Sequence, residues 1–177
     1  MSNLNLLNFL NKILTKTYED LPAETIERTK WIVLDCIAAC WDGMQSSELR
    51  SLAAQVGKKD PDEIHYLSLI GSPLYTSGYN QLLLHGTAIV SNEVDEGSQF
   101  AKGHPAAHIF PPAYQAAIEQ KADGKEFIRA IVLAYEISAR FAYAANMKDE
   151  MHPHGTWGVI GGAVAAGLLR DERVIGA

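Results

Sequence analysis

The chain has 177 residues, enough for one domain with a proper core. Hydrophobic residues make up 47% and charged residues 20%, the balance of a soluble globular protein. Fifteen basic against twenty-one acidic residues give a net charge of -6, and no basic run is interleaved with aromatics, which argues against a nucleic-acid surface.

The opening MSNLNLLNFLNKIL lacks a basic start, an apolar run and a small-residue cleavage site, so no signal peptide is expected and the reading is cytoplasmic. The longest apolar stretch, 159–169, is far short of the ~20 residues that a membrane-spanning helix needs. Residues 4–14 carry Leu6, Leu7, Leu10, Ile13 and Leu14 at helical spacing. Pro22 is placed to open a second helix that runs to about Trp41, with Ile26, Thr29, Val33, Ile37 and Cys40 along one side. Asp42-Gly43 is expected to end it, glycine being the usual helix stop. Cys36 and Cys40 share a face of this helix, where a regular backbone aims thiols poorly for a disulfide. They read as small buried hydrophobes in a reducing compartment, with a redox pair as the alternative. Ser46 and Ser47 are candidate caps for a third helix that reaches Val56-Gly57.

After the polar loop 58–62, residues 64–70 alternate apolar and polar and form the one strand candidate. His65 on it reads as a surface residue. Gly71-Ser72-Pro73 is a turn. A helix over about 77–94 follows, then a loop over 97–103. Pro105 enters the next helix, 106–122, in which Pro111-Pro112 should mark a start or a kink. Gly124 punctuates before a long helix over 127–145, with Ile128, Ile131, Val132, Tyr135 and Ser138 on one stripe. Glu136 and Arg140 on it are spaced for an intrahelical ion pair. The last helix, 155–169, places Gly158, Gly162 and Ala166 four apart, a smooth face that lets another helix approach. The expectation is a single all-α domain over 1–177, with at most one short strand.

Five of the six histidines fall between positions 85 and 154: His85, His104, His108, His152 and His154. The acidic knot Glu93, Asp95 and Glu96 lies among them. Imidazoles and carboxylates are the usual side chains for moving protons near neutral pH, so the knot and His104 make a candidate acid/base cluster. Each carboxylate alone reads equally as part of an exposed polar loop. His104, before Pro105, stands near a helix N-terminus, where free N–H groups favour an anionic ligand. It reads either as functional or as a capping histidine. The string MHPHGTWG sets His152 and His154 two apart around a proline, and Gly155, Thr156 and the backbone that follows suit a carboxylate or phosphate. A zinc site from His104, His108, His152 and His154 is conceivable in principle, but no HExxH or cysteine pair fixes one, and no metal is assigned.

Four strings in order, HGTAIVSNEVDEG, GHPAAHIFPPAYQAA, GKEFIRAIVLAYEISARF and HPHGTWGVIGGAVAAGLL, resemble the N-terminal part of the MmgE/PrpD family. The helical opening LPAETIERTKWIVLDCIAACWDG is similar to the same family. That resemblance implies a large helical domain followed by a smaller α/β lid, with 1–177 an incomplete share lacking the lid and the C-terminal helices. It implies action on small di- and tricarboxylates without an organic cofactor, by dehydration, decarboxylation or epimerisation, and assembly as a homodimer. Glu93 and Asp95 match the first and second aspartates of the family's Asp-aromatic-Asp-Asp-Thr pattern, Glu96 the third, and Gly97 replaces the threonine. His104 matches the histidine of Gly-His-Pro, and His152 that of His-Pro-Thr-Gly-Thr, where His154 replaces a threonine. The implied catalytic set is His104, His152 and Asp95, with Glu93, His154, Gly155 and Thr156 on the substrate. The family's lysines and a further histidine are expected from later segments. The two departures, at Gly97 and His154, imply a substrate other than methylcitrate. The alternative is an inactive helical module that only dimerises or binds ligand.

Overall fold

A computed structural model of the chain describes residues 3–61, 66–145, 147–148, 151 and 154–171. His65 and His152 lie outside the described residues. Helix α1 covers Asn3–Leu14, α2 Ala23–Gly43 and α3 Ser47–Val56. Two short strands, β1 (Tyr66–Ser68) and β2 (Tyr75–Ser77), precede α4 (Gly78–Val90), α5 (Pro105–Gln120), α6 (Gly124–Ala145) and α7 (Gly158–Leu169). The all-α expectation holds in substance: helices make the domain, and the strands form only a small hairpin.

Helix α5 is the central element, with α2, α4, α6 and α7 packed around it. Its two sides feed two cores. Ala106, Ala107 and Phe110 join Cys36, Cys40, Met44, Leu84 and Ile89 from α2, α4 and the α2–α3 link. Ile109, Ala113 and Ala116 join Ile131, Ala134 and Ile137 of α6 and Val164, Ala165 and Leu169 of α7. The cysteines are buried and free, as their reading as small hydrophobes requires, and burial pushes the Cys40 thiol up to about 12.

Small residues set the helix spacing. A Cβ on Gly158 would stand 2.4 Å from the His108 ring, and one on Gly161 would stand 2.7 Å from Ile109 and 2.9 Å from Ser138. One on Gly162 would stand 3.0 Å from the His108 carbonyl oxygen. The smooth face of α7 is therefore spent inside the domain, against α5 and α6, and is not free for another molecule. Helix α5 carries Pro111 and Pro112 in its interior instead of starting there. The two prolines remove the donors for the Ala107 and His108 carbonyls, and Gly162 lies over the second of these. Gly43 ends α2 as the sequence suggests and has a second role, since a Cβ there would meet the Ala88 carbonyl at 2.0 Å, so glycine also admits α4.

The strand expected over 64–70 is seen as Tyr66–Ser68 and has a partner, antiparallel with Leu67 opposite Thr76. Buried polar groups dock this hairpin. The Thr76 hydroxyl donates to the Val56 carbonyl at 2.9 Å, and Gln81 Nε2 donates to the Ser68 carbonyl at 2.8 Å. The Ile70 N–H donates to His85 Nε2 at 3.0 Å. Ser46 caps α3 as the sequence suggests, accepting from the Leu49 N–H at 3.2 Å. Arg140 Nε meets Glu136 at 2.6 Å, an exposed pair that contributes only a few tenths of a kcal/mol. Arg129 reaches the Leu14 and Lys16 carbonyls at the C-terminal end of α1, holding that helix on α6.

Two outcomes follow from this packing. Gly161→Val should destabilise the domain by about 1–3 kcal/mol through overpacking. Gly86→Ala, in α4 with nothing within 4 Å of the new Cβ, should stabilise it by roughly 0.5–1 kcal/mol. Urea unfolding of both variants compares them. His85 gives the second outcome. It is fully buried, and burial lowers its pKa from 6.5 to about 4. The unfolded chain therefore takes up this proton at a higher pH than the folded one. Stability should be full above about pH 6.5 and fall by about 3 kcal/mol as the pH drops to about 4. Acid unfolding followed by circular dichroism should show that slope flattened in His85→Gln.

Candidate active site

Helix α4 ends at Val90, four residues earlier than its pattern suggests, so the acidic knot belongs to the segment 91–104 and not to a helix end. Asn92 Nδ2 pins the start of this segment to Asp42 at 2.7 Å. Glu93 takes a left-handed conformation with φ 54°. Further on, paired hydrogen bonds between Ser98 and Gly103, at 2.8 and 3.3 Å, close the 98–103 loop on itself. Ala101 at its tip is buried against Ala139, Ala142 and Trp157. The loop that looks flexible in sequence is thus anchored at its base and its tip.

Glu96 is the fixed point of the segment. Its N–H donates to Asp35 Oδ2 of α2 at 2.8 Å. Its Oε2 accepts the Ala106 N–H at 3.2 Å, an anionic cap on the first turn of α5, where the helix dipole favours negative charge. Its Oε1 accepts the Tyr135 hydroxyl of α6 at 2.5 Å. Burial pushes the Glu96 carboxyl up, while the Tyr135 hydroxyl and the Ala106 N–H pull it back without cancelling the rise. Burial and the Glu96 carboxylate push the Tyr135 hydroxyl well above its usual range, so it stays a donor.

His104 is the residue before Pro105, which starts α5. Its Nδ1 lies 2.9 Å from the Glu96 carbonyl oxygen and 3.1 Å from Asp95 Oδ2. A carbonyl can only accept, so Nδ1 carries a proton, and in the neutral ring Nε2 is the lone-pair nitrogen. The Nδ1 proton aligns with the carbonyl, and among the described residues no donor is aimed at Asp95 Oδ2. The Asp95 side chain is 3% exposed and that of His104 31%. Asp95 is thus a buried carboxylate against a half-open imidazole, placed to complement any positive charge the ring acquires.

The turn 154–157 brings the second motif to the same place. The His154 ring lies over that of His104, with centroids 5.7 Å apart and planes 17° apart. The His108 ring lies 4.6 Å from that of His154, tilted to it, and edge-on to buried Trp157 at 5.9 Å. Gly155 has φ 79°, a left-handed turn that glycine adopts without strain. The Thr156 hydroxyl donates to Met147 Sδ at 3.5 Å. Helix α7 begins at Gly158, not at Gly155, so Gly155 and Thr156 belong to the turn before it.

His104, Asp95 and His154 thus meet, and His108 joins them. Glu93 is exposed. His85 stands apart, committed to the hairpin. Sequence reasoning had no signal for Tyr135, which falls on an apolar stripe, or for Asp35, 61 positions before Glu96. Among the described residues no group of three or more His, Cys, Asp or Glu side chains is placed to hold a metal ion. None of their helices is long and apolar enough to cross a membrane. A cavity of about 870 Å³ lies among α1, α2 and α6 and reaches this site through Glu96, Gly97, Ser98 and Tyr135. The imidazoles themselves line none of it.

A curated relative is the cis-aconitate decarboxylase-like protein oryM of Aspergillus oryzae, 26% identical over 160 residues that cover 86% of this chain and 33% of the relative. The chain therefore spans about a third of that protein's length. The model of the MmgE/PrpD N-terminal domain matches residues 8–172. Since that match takes in every helix from α2 to α7, and with them the Asp95–His104 pair, the chain belongs to the MmgE/PrpD family.

Proposed function

We propose that this chain carries the base of a cofactor-independent enzyme that removes a proton next to a carboxylate of a small di- or tricarboxylate. Loss of water or carbon dioxide then follows. The observation that carries this is His104, whose Nδ1 faces the Glu96 carbonyl at 2.9 Å and Asp95 at 3.1 Å, leaving Nε2 as the lone-pair nitrogen. A histidine oriented at one nitrogen by oxygen acceptors and open at the other is built to accept a proton. Asp95 offsets the charge the ring then holds. His154, stacked on His104, is placed to donate a proton or bind a substrate carboxylate. His152 is assigned to the same chemistry by its motif alone. Similarity to a cis-aconitate decarboxylase-like protein supports decarboxylation or dehydration as the class. Epimerisation would share the first step. The partner in solution is taken to be a second copy of the chain.

One observation favours a second reading, a module that binds carboxylates without turnover. Lys102 and Lys148, the lysines nearest the motifs, are both exposed. No described cation faces His104 to neutralise an enolate, and one such stabilising group typically contributes a factor of roughly 10²–10³. The two readings separate by experiment. The chain is incubated in D2O with cis-aconitate, citrate and iminodisuccinate, and deuterium incorporation and products are followed by NMR. Deuterium incorporation that falls by roughly 10²–10⁴ in His104→Gln supports the first reading. Carboxylate binding with no exchange supports the second.

Gly97 gives a further test. A Cβ there would find only His104 Cε1, at 3.9 Å, and the backbone is not left-handed, so a threonine fits. Gly97→Thr should leave stability within about 0.5 kcal/mol of the parent. It should shift relative turnover toward 2-methylcitrate by placing a hydroxyl beside the base, as competition assays would show.

A further inference from the structure

Every polar group of Glu96 is engaged, and three of its four partners are fixed on separate helices: Asp35 on α2, Ala106 on α5 and Tyr135 on α6. The fourth is the His104 imidazole, held at 2.9 Å by the Glu96 carbonyl. We propose that Tyr135 and Asp35 are positioning residues for His104, setting through Glu96 which nitrogen of the ring is presented as the base. Neither touches His104. Tyr135 fixes the Glu96 side chain and Asp35 its N–H, so between them the direction of the Glu96 carbonyl is determined. With either anchor gone, that carbonyl is free to turn from Nδ1. The competing acceptor, Asp95 Oδ2 at 3.1 Å, lacks the alignment to hold the ring alone.

The catalytic consequence rests on the proton-abstraction reading above, but the positioning itself does not, and the experiment separates the two. The full chain is labelled with 15N-histidine, and the His104 ring nitrogens are observed directly in the parent, Tyr135→Phe, Asp35→Ala and Asp35→Asn. The parent should show one tautomer, Nδ1–H, with a slowly exchanging ring proton. Tyr135→Phe and Asp35→Ala should speed exchange of that proton by about tenfold and populate the Nε2–H form. Asp35→Asn keeps an oxygen for the Glu96 N–H and should restore the parent spectrum. A role in stability alone would move unfolding midpoints without this pattern.

Unchanged His104 ring signals in a folded Tyr135→Phe variant overturn the proposal, and so does failure of Asp35→Asn to differ from Asp35→Ala. If Asp35→Ala does not fold, Tyr135→Phe decides. Deuterium exchange that persists in His104→Gln sinks the functional reading instead, whatever the ring signals show. Where the parent turns over substrate, Tyr135→Phe should lower kcat by about tenfold with KM unchanged.

Discussion

The hydrogen bonds around Glu96 hold the candidate site together. Residues 91–104 have no regular structure, yet they carry Asp95 and lead directly into His104. A segment of that kind keeps a defined shape only if its polar groups have fixed partners. Glu96 supplies them, giving its N–H to α2, one carboxylate oxygen to the first turn of α5 and the other to Tyr135 of α6. Burying a carboxylate is costly, and the upward push on Glu96 records that cost. Two donors and the N-terminal dipole of α5 offset it, and the free carbonyl is left pointing at the imidazole. The same residue thus caps one helix, ties two others to it and orients the His104 ring.

A second constraint places the other half of the site. The 154–157 turn sits over His104 because α7 packs closely on α5, and it packs closely because Gly158, Gly161 and Gly162 present no side chains. The distance between the helices then decides the distance between His154 and His104. The alanine-rich cluster beneath, Ala101, Ala139 and Ala142 with Trp157, joins the acidic segment to α6 and α7. Packing and hydrogen bonding therefore converge on one place from opposite sides: α7 brings His154, and Glu96 aims His104.

The helices were legible because their apolar residues recur with helical period, and the Ser46 cap because its chemistry is local. The hairpin was half legible. Residues 66–70 alternate, but Tyr75-Thr76-Ser77 is too short to alternate visibly and owes its place to Thr76, Gln81 and His85. The end of α4 was misplaced because Val94 extends the apolar pattern past Val90. Gly43 was read correctly as the end of α2, but its close contact with α4 was not, since a helix stop and a close helix contact leave the same letter. His85 falls in the histidine-rich stretch without a role read for it, because a histidine inside LLLHG looks the same whether it faces a substrate or an Ile70 N–H. In the site itself, Asp95 and His104 were visible as chemistry. Tyr135 was not, because periodicity reads its ring and is blind to its hydroxyl. The link to Asp35 is a tertiary contact that no local pattern encodes.

The charges around His104 constrain what this part of the molecule can contribute to a reaction. Taking a proton from carbon next to a carboxylate adds negative charge to a substrate that is already anionic. On the proposed reading, the site approaches that substrate with a buried carboxylate, a second carboxylate tied up in capping α5, and imidazoles. Asp95 favours the protonated ring after transfer, so it assists the base but does nothing for the enolate. Neutralising the enolate falls to a group that can arrive positively charged or donate a proton, and among the described residues beside His104 that group is His154. A threonine at this position, as the family pattern has it, can hydrogen-bond but cannot carry charge. The imidazole of His154 can do both, and its ring already lies 5.7 Å from the base. One histidine oriented to accept a proton and a second stacked on it to supply one would let the proton be exchanged between two faces of the same carbon, or between carbon and a leaving oxygen. On the proposed reading, dehydration, decarboxylation and epimerisation would share one arrangement up to the enolate and differ in which bond of the substrate lies opposite His154.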